Sequence, residues 1–403
     1  MNNQISKHFN SKKLTVLILD QGRQALPFLK SLRNAGHNVI CVCNSRISEA
    51  YFSRYPTKKL IWPSSIKYPA MFEECLLNYL DTYQTDIVIG VSDFSAEILS
   101  KNKNKILQKT RIAVPDYSLF SKVVDKYWLM DYCIKNNIPC PRTREINEKN
   151  KNQVSRELEY PVLLKPKRGV GAIGIFKFYK PEEVVESVFK LQEKFGDLII
   201  QEYIPQENGM QYQAEAFLDN EGKIKACIVF EKPRFFPVNG GTSSANITIR
   251  HPEIESITKT LLEGLQWQGA ADVDFILDPR TAVPKVLEIN PRVTAGIKTA
   301  FAAGIDFADL HIKLALNKPI PRIDNYESGI YCRNFFLELL WFVFSNKKMK
   351  QNNQSTFFKF FGKKVFEQTF SIDDPLPFLG FFLNMGGKYL HPSTFLKKIG
   401  RKI

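Results

Sequence analysis

Apolar and polar positions in the first third of the chain form two alternating kinds of segment. Short runs rich in Val, Ile and Leu, typical of buried strands, are separated by longer segments with apolar residues every three or four positions. Strands alternating with helices form a parallel sheet that is covered on both faces. The pattern therefore predicts a doubly wound α/β domain over residues 1–115. Its predicted elements are strands at 14–19, 37–42, 60–62, 86–91 and 111–114 and a helix at 70–83.

The alternation of strands and helices continues after this domain. One helix is predicted over residues 118–137, where Asn-Asn-Ile-Pro ends it, and further strands and helices follow to about residue 317. A second domain is therefore predicted over residues 116–325, with a smaller subdomain at about 140–205.

Residues 326–403 differ in character, because two aromatic runs, 335–344 and 357–361, lie among lysines. Spanning a bilayer takes about twenty apolar residues. Neither run is long enough, and Glu338 interrupts the longer one. The pattern predicts a small helical C-terminal appendage. Two interpretations of its apolar surface stay open, packing against the rest of the protein and peripheral contact with a membrane.

A hairpin is predicted near residue 280. Residues 269–275 and 286–292 are apolar and β-branched, and the Asp-Pro-Arg-Thr stretch at 278–281 between them is typical of a turn. Taken singly, Asp272 and Asp278 are expected on a solvated acidic face of this hairpin.

Three oxygen ligands converge on the same predicted hairpin. With residues 279–283 as the loop, pairing of the strands places Asp274 opposite Glu288, and the two-residue period of a strand puts Asn290 on the same face. Mg²⁺ is usually held by one or two carboxylates together with phosphate oxygens and water. The pattern therefore predicts a magnesium site that includes the phosphates of a nucleotide.

A glycine-rich loop follows an apolar strand that ends at Lys165. Gly169, Gly171 and Gly174 allow the backbone to approach a ligand and to aim N–H groups at phosphate oxygens, to which the lysine adds a positive charge. A strand-like run at 175–178, rather than a helix, comes next, unlike the dinucleotide-binding fingerprint. The pattern favours a hairpin flap that closes over a nucleotide, and the alternative is an ordinary turn.

Five segments occur in an order that resembles the ATP-grasp superfamily. They are residues 125–126, 165–174, 201–205, 240–244 and 287–292. The resemblance extends over about residues 14–320 and is strongest to carboxylate-amine ligases of the D-aspartate ligase kind and to the ATP-grasp domains of carbamoyl phosphate synthetase large chains. It implies an α/β (α+β) ATP-grasp fold preceded by a pre-ATP-grasp domain, with ATP and Mg²⁺, or Mn²⁺ in its place, as cofactors.

The resemblance also implies roles for individual residues. Asp274, Glu288 and Asn290 correspond to the metal ligands, and Arg292 and Lys165 to the catalytic cations that steady the transferred phosphate, a task that suits a bidentate guanidinium. The residues assigned to the nucleotide are Lys126, Lys165, Gly169, Gly171, Gly174, Gln201, Glu202, Tyr203, Ile204 and Gln211.

Two positions depart from the family pattern. Ala172 stands where the family often has a serine after the second glycine of the flap, so a hydroxyl group is lost. Gln211 stands where a carboxylate usually holds the ribose, and either its amide or Glu207 is expected to fill that role.

Two further groups are candidates for substrate binding. Ser92 and Asp93 follow a predicted strand at its carboxyl end, where ligands bind in open parallel sheets, and a helix cap is the alternative. The second group lies in or near a loop that offers backbone donors and hydroxyls to a carboxylate or phosphate, with a surface turn as the alternative. It consists of Arg234, Gly241, Thr242 and Ser243.

Composition limits the class of protein. The net charge of +15 fits an anionic partner or none, and no nucleic-acid-binding motif accompanies it. The seven cysteines are scattered without metal-binding spacing, which indicates a reducing compartment. The first eight residues are polar and do not resemble a signal peptide. A cytoplasmic protein is expected.

These features favour an ATP-dependent ligase that joins a carboxylate to an amine through an acyl phosphate and releases ADP and phosphate. Its partners would be these small molecules and, as in many relatives, a second copy in a homodimer. Two alternatives stay open. One is a carboxylase or carbamoyl-phosphate type of enzyme that uses bicarbonate, and the other is a nucleotide-binding membrane or assembly protein without turnover.

Overall fold

The computed structural model describes most of the chain. It covers residues 13–389 apart from 170, 172, 206–210, 239, 348 and 351–356, with only the backbone at 386–389. Ala172 and Glu207, named above for the flap and the ribose, lie outside the described residues.

The amino-terminal part is a parallel four-stranded sheet in the order β3-β2-β1-β4. The predicted strands at 14–19, 37–42, 60–62 and 86–91 are present to within two residues. Residues 111–114 contribute only a bridge from Arg111 to Ile87, because their apolar side chains pack in the core without joining the strand ladder. The elements are β1 (Thr15–Leu19), α1 (Ala25–Asn34), β2 (Asn38–Cys43), α2 (Glu49–Phe52), β3 (Lys58–Ile61), α3 (Pro69–Thr82), β4 (Ile87–Gly90), α4 (Asp93–Lys101) and α5 (Lys103–Ile106).

A second, antiparallel sheet has the order β5-β8-β6-β7. Strands β6 and β7 pair as the predicted hairpin, with Leu164 opposite Phe176. The elements of this part are α6 (Tyr117–Val123), α7 (Lys126–Lys135), β5 (Thr143–Ile146), α8 (Lys151–Val154), β6 (Val162–Pro166), β7 (Phe176–Phe178), α9 (Pro181–Phe195) and β8 (Leu198–Glu202).

The helix predicted over 118–137 is divided in two. Asp125 caps α7, because its side chain accepts hydrogen bonds from the backbone N–H groups of Tyr127 and Trp128 at 3.0 and 3.1 Å. Lys126 is therefore the first residue of a new helix.

The largest sheet has seven strands in the order β13-β12-β9-β10-β11-β14-β15. Strands β14 and β15 come from the C-terminal segment, so residues beyond 330 extend this sheet. Its elements are β9 (Gln211–Leu218), β10 (Ile224–Phe236), β11 (Thr242–Ile249), α10 (Pro252–Gly264), β12 (Gly269–Asp278), β13 (Val283–Asn290), α11 (Lys298–Ala302), α12 (Phe307–Ala315), β14 (Tyr331–Arg333), α13 (Phe335–Phe344), β15 (Val365–Glu367) and α14 (Leu376–Tyr389).

One hydrophobic core joins the parallel domain to the large sheet. Phe28 of α1, Phe217 of β9 and Phe307 of α12 belong to the same buried cluster. This packing fixes the carboxyl edge of the parallel sheet, where α4 begins, next to one end of β13. The fold therefore brings residues about 200 positions apart in sequence into one site.

Candidate active site

The polar residues predicted on the hairpin lie on one face of the large sheet. Asp274 pairs with Glu288 and Asp272 with Asn290, as predicted. The loop is one residue shorter than predicted, because Val283 pairs with Asp278, and a β-bulge between Asp274 and Phe275 brings the two carboxylates opposite each other. Strand β9 continues the same face on the other side of β12, with Glu215 opposite Asp272. Since β12 is an interior strand, these side chains form one continuous polar area.

Lysine side chains contact the two carboxylates predicted to bind metal. The Nζ atom of Lys126 lies 3.2 Å from an oxygen of Glu288, and that of Lys232 lies 2.5 Å from Asp274. Burial favours the neutral form of Glu288, but the ammonium groups of Lys126 and Lys165 hold its pKa below the usual value. Each of these carboxylates thus already contacts a lysine ammonium group. Lys232 is a site residue that sequence reasoning did not assign.

Protein side chains alone do not complete a metal site among the described residues. The described part of the chain contains no group of three or more His, Cys, Asp or Glu arranged to hold a metal ion. Two facing carboxylates and the amide of Asn290 fit a cation that takes its remaining ligands from phosphate and water. The donor set therefore suits Mg²⁺ together with a nucleotide.

Lys165 lies at the end of β6 with only 6% of its surface exposed. Burial, with a smaller contribution from nearby Lys126, lowers the pKa of its ammonium group to about 7. A buried lysine in a basic neighbourhood is stabilised by an anion. This environment favours a phosphate ligand at Lys165.

Nucleotide binding is therefore expected to take up a proton at Lys165. A triphosphate would return the pKa of this lysine toward its usual value, so about one proton is taken up per ATP between pH 7.5 and 9, and affinity falls by up to about tenfold per pH unit. Below pH 7 the lysine is already largely protonated and the uptake declines. Titration calorimetry in buffers of different ionisation enthalpy measures the uptake, and a binding heat that does not depend on the buffer would contradict it.

The glycine loop adopts conformations that require glycine. Gly171 and Gly174 have φ of 67° and 80°, and a Cβ on Gly174 would lie 2.9 Å from a ring carbon of Pro166. Lys126 links this loop to the polar face, because its Nζ also donates to the carbonyl of Gly169 at 3.0 Å. The loop therefore lies beside Glu288.

Residues 201–204, predicted to read the adenine edge, connect the flap sheet to the large sheet. The side chain of Gln201 is buried and donates to Thr143 at 2.7 Å, and Glu202 pairs with Arg280 and Lys285. Tyr203 stacks on the ammonium group of Lys177, Ile204 is buried, and Gln211 begins β9. The side chains of Gln201 and Glu202 are thus engaged within the protein.

Arg292 joins the two domains at the site. Its guanidinium forms a bidentate pair with Asp93 of α4, with both N–O distances 3.1 Å, and donates to Asn290 at 3.3 Å. Ser92 is the N-cap of α4, because its hydroxyl accepts from the backbone of Ser95 at 3.2 Å. The structure therefore brings Asp93 into the site and supports the cap alternative for Ser92.

Asp272 and Glu215 are buried at the base of the polar face. Asp272 is 1% exposed and accepts from Asn290 at 2.9 Å, and Glu215 accepts from the backbone of Thr294 at 2.7 Å. Their second oxygens, Oδ1 and Oε2, have no hydrogen-bond partner among the described residues. Burial raises the pKa of Glu215 to about 7 and that of Asp272 well above its usual range.

The solvated acidic face expected at Asp272 and Asp278 is therefore wrong. Asp278 is also buried, and it pairs with Arg280 and Lys285. The physical reason is that β9 covers the outer edge of β12, which the hairpin sequence alone does not show. The sequence signal for this burial is Glu215, an acidic residue within the apolar run of β9.

The second predicted substrate group is not gathered in this site. Arg234 is fully buried, and its guanidinium bonds both oxygens of Glu338 at 2.7 to 3.0 Å. A Cβ on Gly241 would lie 2.6 Å from the carbonyl of Phe236. Thr242 and Ser243 begin strand β11 instead of lying in a loop. The turn that precedes them is shorter than expected because strand pairing with β10 continues to Thr242.

A cleft of about 3150 Å³ lies elsewhere on the molecule, between α1, α12 and the C-terminal segment. None of the residues assigned to nucleotide or metal lines it. We place the candidate site on the polar face, because the charged groups that suit phosphate and a divalent cation converge there.

Known proteins resemble this chain over parts of its length. Residues 123–296 match the family model described as ATP-grasp domain. The D-aspartate ligase of Enterococcus faecium is 24% identical over 283 residues, which cover 64% of this chain and 66% of that protein. The carbamoyl phosphate synthase large chain of Saccharolobus islandicus is 23% identical over 262 residues, which cover 62% of this chain and 24% of that one. The matched region thus spans just under two thirds of the length of the D-aspartate ligase and about a quarter of the length of the carbamoyl phosphate synthase large chain.

Solved structures show the same fold. The biotin carboxylase domain of Hydrogenobacter thermophilus 2-oxoglutarate carboxylase, a dimer in complex with MgADP, ADP and bicarbonate, has a TM-score of 0.67 at 17% identity and covers 80% of this chain and 74% of that one. The family match covers β6, the glycine loop and the β12–β13 hairpin, which are the elements that build the site. The chain therefore contains an ATP-grasp domain at residues 123–296.

Proposed function

We propose that this chain is an ATP-dependent ligase that joins a carboxylate to an amine through an acyl phosphate. The observation that carries the proposal is the arrangement of Lys126, Lys165 and the Asp274–Glu288 pair around one polar face, with Arg292 at its edge. The similarity to D-aspartate ligase supports this choice of reaction.

The proposed roles follow from charge and position. Lys126, Lys165 and the backbone of the glycine loop bind the triphosphate, and residues 201–204 with Gln211 bind the nucleoside. Asp274, Glu288 and Asn290 would hold Mg²⁺, which would neutralise charge on the phosphate that is transferred.

The reaction has two steps. A substrate carboxylate oxygen attacks the γ-phosphorus of ATP and ADP leaves, and the amine nitrogen then attacks the acyl carbon, so that phosphate leaves and the nitrogen loses a proton. Arg292 is placed to stabilise the phosphoryl group and the acyl phosphate, while Lys232 holds Asp274 in position. Catalysis in this proposal rests on positioning and charge stabilisation without a protein nucleophile.

Each domain also has a proposed role. Residues 1–115 serve as the pre-ATP-grasp domain, which contributes Asp93 to the acceptor side, and residues 116–325 form the catalytic domain with its flap at about 140–205. Residues 326–403 complete the large sheet and carry an outer surface of their own. Since the matched biotin carboxylase domain is a dimer, we extend the proposal to a homodimer, located in the cytoplasm, where ATP is available.

Phosphate release from ATP and Mg²⁺ tests the proposal, with a panel of D- and L-amino acids and dicarboxylic acids as substrates. Hydroxylamine as the amine would trap an acyl phosphate as a hydroxamate. We expect carboxylate-dependent phosphate release and a hydroxamate. Release that bicarbonate alone stimulates would favour the carboxylase alternative, and ATP binding without turnover across the panel would favour a nucleotide-binding protein.

A further inference from the structure

Exposed apolar side chains are concentrated in the C-terminal segment, away from the candidate site. More than half of the large apolar side chains exposed in the described chain lie between residues 335 and 383. Those of α13 recur at spacings of three or four and so share one helical face, opposite the buried residues Leu337, Glu338 and Trp341. The exposed residues of the two helices are Phe335, Leu339, Phe342 and Val343 in α13, and Leu376, Leu379, Phe382 and Leu383 in α14.

Ring contacts join α13 to α14 and to the segment between them. The ring centroids of Phe336 in α13 and Phe382 in α14 are 5.7 Å apart, and those of Phe335 and Phe360 are 6.5 Å apart. Phe361 and Ile372, in the segments between the helices, are 92% and 93% exposed. We call these helix faces and the two tips the C-terminal surface. Soluble proteins rarely expose a continuous apolar area of this kind unless it binds something.

The charge of the C-terminal surface is mostly positive. Its lysines lie among the aromatic residues, and the Nζ of Lys350 lies 4.8 Å from the ring centre of Phe342. Glu338 pairs with Arg234, and Glu367 accepts hydrogen bonds from backbone N–H groups. Asp373, next to Ile372, is partly exposed and pairs with Lys30. The lysines are Lys347, Lys350, Lys359, Lys363 and Lys364, of which Lys364 pairs with Glu327 at 3.0 Å.

We propose that the C-terminal surface binds the face of an anionic phospholipid bilayer. Phe361 and Ile372 would insert at the boundary between headgroups and acyl chains, and the surrounding lysines would contact lipid phosphates. The contact is peripheral, because no helix in the described residues has the length and apolar character needed to cross a bilayer.

Charge argues for a lipid surface over a second copy of the chain. A symmetric dimer through this face would place lysines against lysines around a shared apolar centre, which is electrostatically unfavourable. An anionic bilayer complements the lysines and accepts the apolar tips together.

Two ion pairs on strand β10 link the C-terminal surface to the candidate site. Glu338 on the inner face of α13 pairs with Arg234 of β10, and Lys232, two residues earlier on the same strand, contacts Asp274. Membrane binding would therefore hold the site beside the bilayer. The lipid proposal does not rest on the proposed ligation reaction.

Sedimentation with vesicles tests the proposal on the full-length protein. The vesicles are either phosphatidylcholine alone or an equal mixture of phosphatidylcholine and phosphatidylglycerol. We expect the protein to sediment with the mixed vesicles, to remain in solution with the neutral ones, and to be released by added salt. No sedimentation with either kind, or equal sedimentation with both, would overturn the proposal.

Test pairs of substitutions and matched control pairs identify the residues that contact the vesicles. The pair Phe361→Ser and Ile372→Ser is expected to lower the partition coefficient by at least about tenfold, and the pair Lys359→Glu and Lys363→Glu is expected to lower it as well. The controls lie on other surfaces and should not change partition; they are the pair Ile66→Ser and Met71→Ser and the pair Lys149→Glu and Lys190→Glu.

Two results with these variants would refute the assignment. One is that the control pairs lower partition as much as the test pairs do, provided that all variants keep the melting temperature of the parent. The other is that the serine pair at 361 and 372 converts a dimer to a monomer in sedimentation velocity while no form binds vesicles. The second result would make another copy of the chain the occupant of the surface.

Discussion

Replacing Glu288 with glutamine is expected to lower kcat for ATP-dependent phosphate release by about a thousandfold. The substitution keeps the size of the side chain and removes the charge that lies 3.2 Å from Lys126 and opposite Asp274. The site would lose a ligand for the divalent cation, whereas the hairpin, held by its strand ladder, would stay folded. Steady-state kinetics of phosphate release with a saturating carboxylate and amine measure the effect.

A matched control separates this role from the loss of an ion pair. Glu145 also pairs with a lysine, Lys167, but lies on edge strand β5 with a partly exposed side chain. Glu145→Gln should leave kcat within about twofold of the parent. A Glu288→Gln enzyme with full activity would remove the metal assignment, and equal losses in both variants would indicate a general effect of lost lysine pairs.

Replacing Glu338 with alanine is expected to lower the free energy of unfolding by about 3–5 kcal/mol. Arg234 and Glu338 are both fully buried, and the carboxylate also accepts from the hydroxyls of Ser244 and Tyr331. Without Glu338 the guanidinium would stay buried with its main counter-ion removed. Urea denaturation, followed by circular dichroism, measures the change.

Two further variants test this explanation. Asp131→Ala removes an exposed pair with Lys135 and should leave the denaturation midpoint unchanged. The double substitution Arg234→Met with Glu338→Leu removes both charges of this pair and should recover part of the lost stability, because apolar residues of similar volume can replace a buried pair. Recovery should be incomplete, because Arg333 also loses the Glu338 carboxylate 3.4 Å away. If Glu338→Ala unfolds at the parent's urea concentration, α13 is not held to β10 through this pair.

The same buried pair explains why the C-terminal segment was only partly predictable. The aromatic run at 335–344 correctly indicated a helix, and Glu338 was noted only as an interruption of an apolar run. Its partner lies 104 positions earlier on β10, and no local pattern reveals such a contact. Strands β14 and β15 are each three residues long, too short to carry a recognisable alternation, and they form because an existing sheet edge is available.

The site was predictable where it depends on local pairing. The pairing of Asp274 with Glu288 was predicted from a loop one residue longer than the one observed, and a β-bulge between Asp274 and Phe275 restores it. The flap follows from its glycines. The roles of Asp272 and Glu215 depend on β9 lying beside β12, although some 50 residues separate the two strands. The pairing of Arg292 with Asp93 depends on how two domains dock, which the packing around Phe217 decides.

Isothermal titration calorimetry of ATP into the purified protein tests the central claim, that the polar face binds a nucleotide together with a divalent cation. The account predicts saturable binding with Mg²⁺ present, at least about tenfold weaker binding after chelation of the metal, and loss of this metal dependence in Glu288→Gln. Absence of ATP binding in the presence of Mg²⁺, or binding that is unchanged by chelation and by Glu288→Gln, would contradict it.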